Sequence, residues 1–89
     1  MKEKQFTVID EAGIHARPAQ LLVNTANEFE STIQLLYNDR IVNMKSILGV
    51  LSLAIGYQKQ FTVQTDGVDE AEAIAVISER LQEKGLASE

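Results

Sequence analysis

One short stretch, Gly13-Ile14-His15-Ala16-Arg17-Pro18-Ala19, holds the only histidine and the only proline of the chain. Histidine is a nucleophile able to carry a group covalently on its ring. Arg17 follows it by two positions with a planar fork of N–H donors suited to phosphate or carboxylate. The apolar residues Ala19, Leu22, Val23, Ala26 and Phe29 then recur at the spacing of one buried helical face, which predicts a helix from about Ala16 to Asn27 with His15 at its start. Pro18 fits the first turn of that helix, where a missing N–H loses no bond. The Ala16 and Arg17 N–H groups have no helical acceptor there, and the positive end of the helix dipole adds to them, so they form a cradle for an anion. An imidazole nucleophile beside such a cradle is the equipment of phosphoryl transfer. A histidine at a helix start can also be a polar residue with no further role. Gly13, Arg17 and Pro18 weigh against that reading, since each serves an exposed ring facing an anion.

Ser46 is a second candidate. It reads as the N-cap of a short helix over Ile47 to Leu53, a role worth ~1 kcal/mol. The alternative is a phosphorylation site, where phosphate would add about −1.5 to −2 charges next to Ile47 and Leu48 without opposing the helix dipole. With Ile47, Leu48, Val50, Leu51 and Leu53 apolar, the helix is hydrophobic nearly all round. One buried stripe does not account for all of them, so part of the set Ile47, Leu48 and Leu51 is expected to form a docking patch for a partner. The two helix starts, at His15 and Ser46, are expected to border one surface. Asp66, Asp69, Glu70 and Glu72 read as solvated charges rather than a catalytic pair.

The remaining elements must hold these two sites. Lys4 to Ile9 predicts a strand, closed by the polar turn Asp10 to Gly13. Thr32 to Tyr37 predicts a second strand, Asn38-Asp39 a tight turn, and Arg40 to Val42 an antiparallel return. Gln60 to Thr65 alternates, with Phe61, Val63 and Thr65 facing a core. A last helix begins with Asp69 as N-cap and Glu72 completing a capping box, has Ala71, Ile74, Ile77, Ser78 and Leu81 as its core stripe, and closes at Lys84-Gly85-Leu86. The order β-α-β-β-α-β-α describes an α+β domain, an antiparallel sheet with helices on one face.

Composition excludes several function classes. The 89 residues support one domain with a single two-layer core. There is no cysteine, so thiol catalysis, disulfides and cysteine-based metal sites are absent, and one histidine cannot build a histidine-rich metal site. No metal and no cofactor are expected. A formal charge of −5 disfavours binding to nucleic acid, and a sheet-based RNA binder would need basic residues and exposed strand aromatics that this chain lacks. No apolar run approaches the ~20 residues of a membrane span, and no signal-peptide block follows Met1, so neither membrane insertion nor secretion is expected.

Gly13 to Ala19, followed by Val42-Asn43-Met44-Lys45-Ser46-Ile47-Leu48-Gly49-Val50-Leu51-Ser52-Leu53, closely resembles HPr, the histidine-containing phosphocarrier family of the phosphoenolpyruvate-dependent sugar phosphotransferase system, and the resemblance spans the chain. It implies an open-faced β-sandwich of four antiparallel strands in the order 1-4-2-3, with three helices on one side. It implies that His15 accepts a phosphoryl group at Nδ1 from phosphorylated enzyme I and passes it to enzyme IIA proteins, so that the chain is a substrate of enzymes rather than an enzyme. Arg17 matches the family's phosphate-stabilising arginine. Ser46 lies in a segment resembling the low-GC Gram-positive branch and matches the serine phosphorylated by HPr kinase/phosphorylase, whose phosphorylated form slows transfer and serves the catabolite control protein in carbon catabolite repression. The related Crh proteins lack the histidine, unlike this chain. With no membrane span or signal-peptide block in the sequence, a cytoplasmic protein is expected, and a monomer is expected. Ala12, Gln20, Ala54 and Tyr57 depart from the family pattern and bear on ring capping and partner preference.

Overall fold

The computed structural model describes residues 1–89. Strand β1 (Lys2–Val8) leads into helix α1 (Ala16–Ala26), the hairpin β2 (Thr32–Tyr37) and β3 (Arg40–Asn43), helix α2 (Ile47–Ser52), strand β4 (Gln60–Asp66), helix α3 (Glu70–Glu83) and a short strand β5 (Ala87–Ser88). The sheet is antiparallel in the order β3-β2-β4-β1-β5. This contains the expected 1-4-2-3 arrangement and adds a fifth strand at the β1 edge. That addition corrects the four-stranded expectation: Thr7 pairs with Ser88 and Val8 with Ala87.

Alternation along the strands divides the sheet into two faces. Phe6, Val8, Ile33, Leu35, Phe61 and Val63 point inward and are buried. Phe6 and Phe61 face each other in register and stack with ring centroids 5.6 Å apart. Ala19, Leu22, Val23 and Ala26 of α1 and Ala73, Ile77 and Leu81 of α3 close the core from the helix side. The opposite face is mostly polar, with Gln5 bonded to Gln60 and Gln64 bonded to Glu3, and carries the apolar pair Leu36 and Ile41. Asn38 and Asp39 carry φ values of 48° and 64°, the left-handed pair that lets a two-residue turn follow the twist of its strands.

The last helix differs from expectation in two respects. Asp69 occupies the N-cap position, yet its side chain makes no cap bond and no capping box with Glu72 forms. Its carboxylate accepts instead from the Ser31 hydroxyl and from the N–H groups of Glu30 (2.8 Å) and Ser31 (2.9 Å). Those bonds, the Ser31 hydroxyl foremost, hold the Asp69 carboxyl below the usual carboxylate range. The expected core residue Ala71 is exposed, and Ala73 takes the buried position beside Ile74. Asp69 thereby ties the start of α3 to the segment before β2, while Ile74, Ile77, Ser78 and Leu81 are buried as expected. Arg80 makes a second tie to the same segment, donating to the Glu28 carboxylate and to Thr25 Oγ1.

The helix end is as expected. Gly85 has φ +65°, the Leu86 N–H donates to the Leu81 carbonyl at 2.9 Å, and Leu86 is buried. This turn sends the chain back toward β1, where the Ile9 N–H donates to the Leu86 carbonyl.

Candidate functional site

Three local constraints present His15 to solvent. Asp10 opens the turn: its carboxylate accepts from the Ala12 N–H at 2.9 Å, and its carbonyl accepts from the Gly13 N–H at 2.9 Å. Gly13 has φ +73°, and a Cβ there would stand 2.8 Å from the Ile55 carbonyl oxygen, so only glycine fits. Ile14 is buried, with its N–H on that same Ile55 oxygen at 2.8 Å. The next residue is thereby turned outward.

His15 is exposed, with extended backbone and a carbonyl that accepts the first helical bond from Ala19 at 3.0 Å. Its ring makes no cap bond and is uncommitted. Pro18 is buried in the first turn, whereas Ala16 and Arg17 are exposed and their N–H groups meet no protein acceptor. The Arg17 guanidinium forms no ion pair. His15, Arg17, Asp10, Pro18, Leu21, Lys84 and Leu86 line a cleft of about 390 Å³.

The structure therefore brings His15 and Arg17 to one cavity, with the Ala16 and Arg17 N–H groups at the helix start. Sequence reasoning missed the two other charged members, Asp10 and Lys84. Asp10 was legible only as turn chemistry, and Lys84 only as the end of a helix. Nothing local says that the end of α3 lies beside the start of α1.

Ser46 stands apart from this cleft, to which α2 contributes no residue. Its Oγ accepts from the Gly49 N–H at 3.2 Å, the expected cap. Val50 and Leu53 are core, Ile47 is partly buried against that core, and Leu48 and Leu51 are exposed, Leu48 at 77%. The outward apolar patch is thus Leu48 and Leu51, with Ile47 at its base. Helices α1 and α2 pack together, so the two sites lie on neighbouring helices without sharing a cavity. Of the departing residues, Ala54 follows α2 with φ 50°, Tyr57 is exposed, Gln20 bonds to Asn24, and the Ala12 side chain brings no polar atom to the loop. No group of three or more His, Asp or Glu side chains is arranged to hold a metal ion, and no helix is long and apolar enough to cross a membrane.

An exposed histidine at a helix start, above an open-faced sandwich, is the arrangement of a histidine phosphocarrier. The family model described as PTS HPr component phosphorylation site matches residues 2–83, and the chain belongs to this HPr family of the phosphotransferase system. Solved structures agree. A Mycoplasma histidine-containing phosphocarrier protein is 34% identical, with 96% of this chain and 97% of that one covered and a TM-score of 0.92. Phosphocarrier protein HPr from Bacillus anthracis is 38% identical over 88% of this chain and 93% of its own, with a TM-score of 0.81. The Bacillus subtilis catabolite repression protein Crh, described as a domain-swapped dimer, is 39% identical over 84% and 86%, with a TM-score of 0.73.

Proposed function

We propose that this chain carries a phosphoryl group on His15, accepting it from phosphorylated enzyme I and donating it to enzyme IIA proteins. The observation that supports this most is the uncommitted His15 ring in a cleft with Arg17, at a helix start whose Ala16 and Arg17 N–H groups are free. In acceptance, the lone pair of Nδ1, the nitrogen the family resemblance implies, forms the P–N bond as the bond from phosphorus to the donor breaks and its electron pair stays with the donor. Donation reverses these changes. With hydrogen on Nε2, neither step requires the ring to lose a proton. The free N–H groups and Arg17 face negative charge on the phosphoryl oxygens, and exposure lets donor and acceptor reach the ring directly. The chain is then a substrate of its partners, without turnover of its own.

The same reading makes Ser46 a regulatory site for HPr kinase/phosphorylase, with the catabolite control protein reading the phosphorylated form. Exposed Leu48 beside the cap supports it, since added charge there changes a docking surface while leaving the helix start intact. A cytoplasmic monomer completes the proposal. Incubation with enzyme I and phosphoenolpyruvate is expected to label one acid-labile, base-stable site that is lost in His15→Ala. Arg17→Ala is expected to melt within about 2 °C of the parent, since it breaks no ion pair, and to be labelled more slowly; unchanged labelling kinetics would remove its role.

A further inference from the structure

The His15 cleft carries a cation that the reading above leaves unused. Lys84 lines it together with His15 and Arg17. Its ammonium forms no ion pair and no hydrogen bond within the protein. Most other cations of this acidic chain are engaged: Lys4 with Glu89, Arg80 with Glu28, Arg40 with Ser52, and Lys45 with the Phe29 carbonyl. Arg17 and Lys84 are unpaired and converge on one cavity. The single acidic lining residue, Asp10, already accepts from the Ala12 N–H.

We propose that Lys84 is a second cationic residue of the phosphoryl site, its ammonium meeting the oxygens of the group while His15 carries it. The proposal rests on the carrier reading of His15. Arg17 offers a directional fork from the first turn of α1, whereas Lys84 offers a mobile point charge on a flexible stem from the end of α3. A flexible cation suits a group that must arrive and leave, because it follows the oxygens without fixing their geometry. The turn at Gly85 holds the base of that stem, with Leu86 buried in the wall of the same cleft. A purely structural role is the competing account, since a cation in the last turn of a helix offsets its dipole. The two accounts diverge once phosphate is present.

Phosphoramidate, a small phosphoryl donor that needs no protein partner, separates site chemistry from docking. The full chain, Lys84→Gln, Lys84→Arg and the remote control Lys2→Gln would be labelled with it at low salt and followed by 31P NMR. Lys84→Gln is expected to slow labelling of His15 about twofold to fivefold, the range for one exposed charge pair, and to move the phosphohistidine resonance. Lys84→Arg should keep most of the parent rate, Lys2→Gln all of it, and the difference should shrink as salt rises. A parent rate and resonance in Lys84→Gln would overturn the proposal. So would a defect confined to labelling by enzyme I, which would make Lys84 a docking contact. If the folded parent chain takes no label at His15 from either donor, the carrier reading itself fails.

Discussion

The carbonyl oxygen of Ile55 accepts the Ile14 N–H at 2.8 Å and stands 2.8 Å from where a Gly13 side chain would begin. The loop between α2 and β4 thus acts as the template against which the His15 loop is cast. Gly13→Ala combines a left-handed backbone, costing about 1–2 kcal/mol, with displacement of the Ile55 carbonyl, costing a similar amount. A loss of about 2–4 kcal/mol is expected, a fall in melting temperature of roughly 10–20 °C, together with slower labelling of the histidine. A variant that melts with the parent would show that the loop is not held there.

Ala54 stands just past the end of α2 with φ 50°, a conformation that glycine adopts without strain. Ala54→Gly removes that strain and adds some freedom to the unfolded chain. A net gain of about 0.5–1 kcal/mol is expected from thermal or urea denaturation. Unchanged or lowered stability would mean that the alanine side chain contributes packing that its exposure does not reveal.

Ser46→Ala removes the Oγ that accepts from Gly49 and is expected to cost about 1 kcal/mol. Ser46→Asp keeps an acceptor and adds charge at the favourable helix end, so its melting should stay within about 0.5 kcal/mol of the parent. Under the regulatory reading, only the aspartate variant slows labelling by enzyme I. Equal labelling rates in both variants would sink that reading.

Asp69 supplies the pH dependence. Its folded carboxyl titrates below the ordinary range, so its contribution to stability is fully present above pH about 4, where the unfolded chain also ionises, and is lost as pH falls through the lower folded value. Asp69→Asn should therefore be less stable than the parent at pH 7, with the gap closing toward pH 2. Denaturant midpoints measured across that range check it, and a gap that stays constant would mean the ionised form is not what holds Ser31.

What the sequence disclosed divides along the reach of each interaction. The Asn38-Asp39 turn, the Ser46 cap, the Gly85 closure and the alternation through Phe61 and Val63 are made by residues a few positions apart, and all were legible. Asp69 was misread because a short carboxylate can satisfy nearby helix donors or a distant loop, and only the packing of α3 on the segment at Ser31 chooses between them. Ala71, in the first turn, is the one stripe residue that lies exposed, whereas Ile74, Ile77, Ser78 and Leu81 are buried as expected. Strand β5 is two residues long and has no periodicity to detect. The His15–Arg17 pair was visible because it sits in one turn of one helix. Lys84 was not, since its place in the cleft depends on how α1 and α3 meet.

Strand β5 covers only Thr7 and Val8, so the outer flank of β1 from Lys2 to Phe6 has no neighbour in the sheet. That flank begins Lys2, Glu3, Lys4, a run of charge that a second strand could not approach without shedding water from three ionised groups. At the opposite rim, β3 is four residues long and starts with Arg40, which leaves little length for another chain to align with. Resistance to edge-to-edge fibril growth is thus distributed between the two rims by different means, electrostatic on one and geometric on the other.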